Sequence, residues 1–257
     1  PVVQAARAGK HIICEKPLEV TLERVDRMIR ICREHKVMLA GIFQRRFLDA
    51  TRQFKKAVDG GRLGRISLAD AYIKWYRTQA YYDSADWRGT WKLDGGGALI
   101  NQAIHTIDLL YYLAGDVEWV CGFADRHMHE RIEVEDNAAA VLKFKSGALG
   151  VIEGSTACYS PAGNPAEVHI CGTDGSVFMQ DNSFTTWAFR NQRAGDQRIR
   201  SQFAPAATPG AGAADRFRRR IGRAAAGRGR EAGQEGRCET VHGSSLARPG
   251  RGRNRPG

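Results

Sequence analysis

The sequence contains no apolar stretch near the roughly 20 residues that a membrane-spanning helix requires. It also lacks the basic and then apolar N-terminal segment of a secretory signal peptide. Its six cysteines lie far apart and form no C-x-x-C pair, which argues against a disulfide framework or a zinc site. We therefore expect no membrane partner and no metal, and we expect buried thiols in a reducing compartment, the cytoplasm.

Lysine is absent from the last 57 residues, which hold 12 arginines and four acidic residues for a net charge of +8. Residues 1–200 carry 27 basic and 24 acidic side chains, so most of the total charge of +11 belongs to this tail. The tail has no apolar periodicity, and we expect residues 201–257 to be disordered. Three interpretations are open: an arm that binds nucleic acid through charge, an inert solvated tail, or a GC-rich gene read in the wrong frame. We favour the third and predict no nucleic-acid partner.

The rest of the chain shows two successive patterns. Residues 1–43 alternate helix, strand, helix and strand, with apolar runs at residues 11–14 and 37–43 that are typical of buried parallel strands. Residues 44–200 contain mostly strand-like stretches separated by turns, with one long helix over about residues 97–114. The predicted fold is the C-terminal part of a Rossmann-type α/β domain, followed by an open, mostly antiparallel α+β domain with covering helices.

Lys16 follows the first predicted strand directly and is fixed on its C-terminal side by Pro17. In parallel sheets, ligands bind beyond the carboxyl ends of the strands, so this lysine is predicted to face a cleft between the domains. Partial burial there would make it a proton donor or a cation that orients a hydroxyl. A solvated loop lysine is an equally good interpretation of its position.

The long helix carries three polar residues, Asn101, His105 and Asp108, at spacings that place them on one stripe of an otherwise apolar helix. Histidine exchanges protons near neutral pH, and the other two residues can orient it or a substrate hydroxyl. The alternative is a core histidine whose hydrogen bonds are satisfied by its neighbours. A preceding Gly95-Gly96-Gly97 run, which would let backbone or ligand approach closely, favours a functional stripe.

Two further pairs of residues are candidates for binding. Trp87 and Arg88 offer an aromatic face beside a cation, which suits a sugar or a nicotinamide, although Trp87 could equally be an interface residue. His127 and His129 alternate near a strand end and could bind a metal, but no third ligand is close in the sequence. A solvated sheet edge is the better interpretation of these histidines.

Three motifs in this order carry a family resemblance: Glu15-Lys16-Pro17 after a strand, the Gly95–Gln102 segment GGGALINQ followed by His105 and Asp108, and residues 169–176, HICGTDGS. Over residues 1–190 the chain resembles the Gfo/Idh/MocA oxidoreductases. The resemblance implies an NAD- or NADP-binding Rossmann domain and hydride transfer with a sugar, nucleotide-sugar or polyol substrate. It also implies a homo-oligomer in the full-length protein.

The resemblance also implies roles for particular residues. Lys16 and His105 would be catalytic, the latter as acid/base. From the residues themselves we further expect Asn101, Asp108, Trp87 and Arg88 to bind the substrate, and Glu15, Lys16, Pro17 and Arg46 to bind the cofactor. Many polyol-oxidising members have an aspartate at the position of Asn101, so this residue leaves the substrate open.

The chain departs from the family in two ways. The glycine-rich phosphate loop that would precede Lys16 is absent, and the region after Arg200 lacks the expected strand and helix. We therefore expect an inactive fragment with units at residues 1–43, 44–200 and 201–257. The alternatives are an NAD-dependent glycoside hydrolase of the same fold and a non-catalytic regulator that senses a sugar or a nucleotide.

Overall fold

The computed structural model describes residues 1–206 and 241–242. Its first unit is the predicted βαβ arrangement: α1 (Val2–Arg7), β1 (Ile12–Cys14), α2 (Leu22–Glu34) and β2 (Leu39–Gly41). The two strands pair in parallel, with Ile12 opposite Leu39. The side chains of Ala6, Ile12 and Cys32 form a small core beneath them. The carboxyl end of β1 therefore opens at one edge of this sheet, as the sequence predicts.

A large, mostly antiparallel sheet dominates the second unit. It runs in the order β10-β4-β5-β6-β3-β7-β8-β9, and within it only β3 and β6 pair in parallel among the described strands. The strands are β3 (Ile66–Lys74), β4 (Val117–Asp125), β5 (Asn137–Phe144), β6 (Leu149–Ser155), β7 (Ala166–Gly172), β8 (Gly175–Gln180), β9 (Ser183–Phe189) and β10 (Val241–His242). This arrangement confirms the predicted fold class.

Helices cover one face of the large sheet. They are α3 (Asp49–Asp59), α5 (Ile104–Ala114) and α6 (Asp196–Gln202), with a π-helical segment at Ala98–Ala103 that runs directly into α5. The short helix α4 (Gln79–Asp83) instead packs its Tyr82 against Ile132 and Val134 in a separate cluster. Phe54 of α3 and Leu109 of α5 pack on the inward residues of β3 and β7, which alternate with outward ones because successive strand side chains point to opposite faces. The covered face holds the main core.

The structure corrects some boundaries of the predicted elements. The helix expected over residues 97–114 is divided, since its first six residues are π-helical and only residues 104–114 are α-helical. The boundary expected at residue 200 falls inside α6, and the next residue after that helix, Phe203, is buried in the core. Of the predicted tail, Val241 and His242 pair with β4, and residues 207–240 and 243–257 lie outside the described residues.

The cysteines differ from the expectation of buried thiols. Free thiols are found at Cys14, Cys32, Cys158 and Cys171, of which Cys32 is fully buried and the others are partly exposed. Cys121 is disulfide-bonded, so the expectation is wrong at this residue. In the part of the chain that the structure describes, no helix is long and apolar enough to cross a membrane.

The strongest ion pair of the fold joins Arg62 to Asp196 at the start of α6. The carboxylate accepts two hydrogen bonds from the guanidinium, at 2.6 and 2.8 Å, and one from the Trp187 indole at 3.0 Å. The side chains of both partners are nearly buried, at 8% and 4% exposure. These bonds hold the pKa of Asp196 well below its usual range.

Replacing Asp196 with alanine should lower the free energy of unfolding by about 3–5 kcal/mol, because it leaves a buried guanidinium without its partner. The stabilisation is present above the unfolded-state pKa of about 4 and is lost as the pH falls through the lower folded-state pKa. The difference in the free energy of unfolding between the wild type and Asp196→Ala, measured by urea denaturation, should therefore become smaller in acid. The matched control is Asp59→Ala, which removes an exposed pair with Lys55 and should cost about 0.5 kcal/mol or less. An equal loss of unfolding free energy in Asp196→Ala and Asp59→Ala would contradict the role of the Arg62–Asp196 pair in stability.

Candidate active site

Lys16 reaches from the end of β1 to the second unit. Its ammonium donates a hydrogen bond to the backbone oxygen of Asn101 at 2.6 Å. Burial lowers the pKa of Lys16, and the charges of Asp94 and Glu15 oppose that shift. The structure thus supports the prediction that this lysine lies at the cleft, and it excludes a fully solvated loop position.

The π-helical segment owes its position to Glu135, which lies just before β5. The Glu135 carboxylate accepts hydrogen bonds from the amides of Gly97 (2.8 Å) and Leu99 (2.9 Å), and its backbone oxygen accepts one from Ala98 (3.0 Å). A Cβ atom on Gly97 would lie 1.7 Å from the backbone oxygen of Glu135. The glycine is therefore required for close backbone approach, as expected, and the approaching group is protein backbone.

Gly95 serves the contact between the two units. Its φ of +79° lies in the left-handed region, and a Cβ atom there would meet the backbone of Val20 at 2.8 Å. The loop after Lys16 consequently packs directly on the glycine run. This contact holds the carboxyl end of β1 against the start of the π-helical segment.

His105 occupies the first turn of α5 and is half-buried. Its Nδ1 atom is buried and has no hydrogen-bond partner among the described residues. Burial and the positive charges of Lys16 and Arg45 lower the pKa of His105 to about 4, against the opposing charges of Asp108 and Glu15. The imidazole is therefore neutral at physiological pH and able to accept a proton. Because its Nδ1 atom has no partner among the described residues, it is not a core histidine whose hydrogen bonds are satisfied.

The other two members of the predicted stripe have different partners. The Asn101 amide donates to the carboxylate of Asp94 at 2.8 Å. Asp108 is 8% exposed and accepts two hydrogen bonds from Arg46, at 2.7 and 2.5 Å. The Asp108 bonds raise the pKa of Arg46. Arg46 and Asp108, which we expected on the cofactor and the substrate, are thus bound to each other.

A cavity of about 380 Å³ lies beside Lys16. The Trp87 ring, 40% exposed, lines it together with Pro17, Asp94 and Asn101. The Arg88 guanidinium stacks on this ring at 4.4 Å from its centroid, as the sequence suggests. Residues from both units thus surround one space, and Trp87 is its aromatic wall.

Asp94 is the main site residue that the sequence analysis missed. It is 4% exposed, and its carboxylate accepts hydrogen bonds from the Asn101 amide and from the backbone amide of Gly89 at 2.9 Å. An acidic residue directly before the glycine run was a visible signal, because a carboxylate beside such tightly packed backbone must have partners. Asp94 links the Trp87 loop to the π-helical segment.

Of the two histidines after β4, which we expected at a solvated sheet edge, only one is exposed to solvent. His127 is exposed, but His129 is 2% exposed and bonds through its ring to Asp136 and to the backbone oxygen of Arg77, each at 2.9 Å. Burial raises the pKa of Asp136, but hydrogen bonds from the amides of His127, Met128 and His129 and from the His129 ring outweigh it and hold the pKa at about 2. The described residues contain no group of side chains suited to a metal.

Comparison with protein families identifies the two units separately. Residues 1–43 match the oxidoreductase family with an NAD-binding Rossmann fold, and residues 51–178 match the GFO/IDH/MocA C-terminal domain. The chain belongs to the Gfo/Idh/MocA oxidoreductase family. Both matches fall on the units described above, so the family assignment covers the cleft and its residues.

Two of the relatives of this Gfo/Idh/MocA chain are inositol dehydrogenases. Myo-inositol 2-dehydrogenase of Thermotoga maritima is 34% identical over 76% of this chain and 57% of its own length. The scyllo-inositol 2-dehydrogenase (NAD(+)) of Bacillus subtilis is 30% identical over 69% of this chain and 50% of its own. The chain thus spans about half the length of these relatives.

Solved structures show the same fold. The WlbA dehydrogenase of Bordetella pertussis, in complex with NADH and UDP-GlcNAcA, is similar with a TM-score of 0.73 and 37% identity, over 77% of this chain and 60% of that one. A levoglucosan dehydrogenase in complex with NADH has a TM-score of 0.68 and 27% identity, over 75% and 54% of the respective chains.

The ring of His105 should titrate near pH 4 in an NMR pH titration, against about 6.5 for an ordinary histidine. Lys16→Met should raise this pKa, because it removes a positive charge that opposes protonation of the ring. The matched control, Lys10→Met, removes an exposed lysine at the end of α1 and should leave the pKa unchanged. Equal effects of the two substitutions would show that Lys16 does not act on His105.

Asp94→Asn should lower the pKa of Lys16 further, because the carboxylate is the larger of two charges that favour the ammonium. An NMR titration of the lysine ammonium region measures the change. Glu15→Gln is the matched control and should produce a smaller fall in the same pKa. A larger fall with Glu15→Gln than with Asp94→Asn would contradict the position assigned to Asp94.

Proposed function

We propose that this chain forms the catalytic part of an NAD(P)-dependent dehydrogenase that transfers a hydride between a hydroxyl of a sugar, nucleotide sugar or polyol and nicotinamide. The observation that carries the proposal is a neutral, half-buried imidazole with an unpartnered nitrogen beside a partly buried lysine. The names of its relatives support the substrate class: inositols are polyols, and levoglucosan and UDP-GlcNAcA are sugar derivatives.

The cleft suits a nicotinamide cofactor. It opens at the carboxyl end of parallel strand β1, where such ligands bind in doubly wound sheets. Glu15, Lys16 and Pro17 at that end would hold the cofactor. The nicotinamide accepts or donates a hydride, which is chemistry that no side chain supplies. The ribose-contacting residue that separates NAD from NADP is not among the residues assigned to the site.

His105 and Lys16 act on the substrate hydroxyl in different ways. His105 accepts the proton of the substrate hydroxyl, for which a neutral imidazole is the correct state. Lys16 donates a hydrogen bond to the same oxygen and stabilises the negative charge that develops there, while the hydride leaves the carbon and a carbonyl forms. In the reverse direction the protonated His105 returns that proton to the oxygen, while Lys16, whose pKa is lowered by burial, keeps its hydrogen bond to it.

Other residues position this pair. The backbone of Asn101 fixes the Lys16 ammonium, and Asp94 fixes the Asn101 side chain. Asp108 lies one turn along α5 from His105 and is bound by Arg46. We infer that this ion pair orients the helix that carries His105. Trp87 provides an apolar wall on which a sugar ring can pack.

The exposed face of the large sheet supports the self-association that the resemblance implies. Leu68 of β3, Leu149 of β6 and Val141 of β5 lie on this face and are 46–52% exposed. Leu68 and Leu149 are direct neighbours in the parallel pair. An apolar patch of this kind is typical of a subunit interface.

The test joins this chain to the N-terminal Rossmann half of the Thermotoga maritima relative and follows NAD(P)H absorbance with a panel of sugars and polyols. Lys16→Ala and His105→Ala should each lower kcat/KM by about 10²–10⁴-fold, the usual contribution of a proton-transfer group. The control His35→Ala, an exposed histidine after α2, should leave the rate unchanged.

Two outcomes would overturn the proposal. Turnover within a few-fold of the parent in both variants would remove Lys16 and His105 from the mechanism. Release of free sugar with no net change in the cofactor would instead indicate glycoside hydrolysis. The 257-residue chain alone should show no turnover.

A further inference from the structure

Two arginines stack on one tyrosine beside the cavity. The guanidinium carbon of Arg88 lies 4.3 Å from the ring centroid of Tyr81, and that of Arg77 lies 5.4 Å from it. Arg88 also donates a hydrogen bond to the Tyr81 hydroxyl at 2.6 Å. Tyr81 thus holds two positive charges close together.

Neither charge is neutralised by a carboxylate in the part of the chain that the structure describes. Within residues 1–206 and 241–242, no carboxylate lies within 4.0 Å of either guanidinium, whereas Arg46, Arg62 and Arg131 each hold one. Two buried carboxylates of this region, Asp94 and Asp136, accept their hydrogen bonds from backbone amides, Asn101 and His129 instead. Among the described residues, the two positive charges therefore have no carboxylate partner.

Arg88 also has unused donor capacity. Its Nε atom is buried and has no hydrogen-bond partner in the described part of the chain. On Arg46 the equivalent Nε donates to the carboxylate of Asp108 at 2.7 Å. A buried donor without a partner is costly, and such groups are commonly found where a ligand completes the hydrogen bonds.

The pair is connected to the cavity by hydrogen bonds. Gln102 donates to the Tyr81 hydroxyl at 2.9 Å, accepts from Arg77 at 2.9 Å, and donates to the Asn101 side chain at 3.4 Å. Asn101 in turn lines the cavity and binds Lys16. Two residues, Gln102 and Asn101, therefore connect the arginine pair to Lys16.

We propose that Arg77 and Arg88, held by Tyr81 and Gln102, form a subsite for an oxyanion substituent of the substrate, a carboxylate or a phosphate. The inference rests on the proposed function, because it places this group on the sugar whose hydroxyl meets His105. Guanidinium forks match both anions through paired, charge-assisted hydrogen bonds. The subsite selects acidic or phosphorylated sugars over neutral polyols.

Isothermal titration of the 257-residue chain with glucose, glucuronate and glucose 1-phosphate tests the subsite without cofactor or turnover. At least one anionic ligand should bind about tenfold or more tightly than glucose, since hydrogen bonds to charged groups are the stronger class. Preference for glucuronate identifies a carboxylate subsite, and preference for glucose 1-phosphate identifies a phosphate subsite.

Variants locate the effect. Arg88→Gln and Arg77→Gln should each abolish most of the preference for the anionic ligand over glucose. Arg88→Lys, which keeps the positive charge, should retain part of that preference. Arg131→Gln is the matched control, because this exposed arginine is paired with Asp83 outside the subsite. Thermal melting of each variant establishes that it is folded.

Three results would overturn the inference: equal dissociation constants for the three ligands, no binding of any of them, or an equal loss in Arg131→Gln. Its failure is distinguishable from failure of the proposed function. Equal binding together with His105-dependent hydride transfer removes only the subsite. Charge-selective binding with no hydride transfer under any condition removes only the dehydrogenase proposal.

Discussion

The approach of Glu135 to the backbone of Gly97 is the constraint on which the site depends. The carboxylate caps two amides at the start of the π-helical segment, in a space that a Cβ atom would fill. The cap fixes where that segment begins, and therefore where Asn101 presents its backbone oxygen to Lys16. One long-range contact between Glu135 and the glycine run thus helps to place the backbone oxygen that binds the lysine of the first unit.

The site then works through an imbalance of charge. Lys16 and Arg45 lie close enough to His105 to disfavour its protonation, and burial acts in the same direction. Asp94 limits the fall in the pKa of Lys16, so the lysine keeps a proton to share while the imidazole loses its own. A lysine that donates a hydrogen bond and a neutral imidazole that accepts a proton are suited to act on the same oxygen.

Much of this could be predicted from the sequence. Apolar periodicity located the βαβ unit and most strands of the large sheet, because those patterns are local. The π-helical segment could not be predicted, since its cap comes from Glu135, 38 residues beyond Gly97. The i, i+4, i+7 spacing placed Asn101, His105 and Asp108 on one stripe, but periodicity could not show the partners of Asn101 and Asp108, which lie elsewhere in the chain. Asp94 was overlooked because a single acidic residue in a turn has no period at all.

The net charge of the chain is a poor guide to the positive charges that lie near the site. The excess of arginine in residues 201–257 dominates the total of +11 but lies almost wholly outside the described residues. The positive charge that bears on chemistry is small in number and local. Lys16 lines the cavity, and Arg77 and Arg88 are connected to it through Gln102 and Tyr81, while Arg46 is already neutralised by Asp108. Positive charges near a bound hydroxyl both favour its alkoxide form and attract an anionic ligand. The same charges therefore link the proton chemistry at His105 to the choice of substrate.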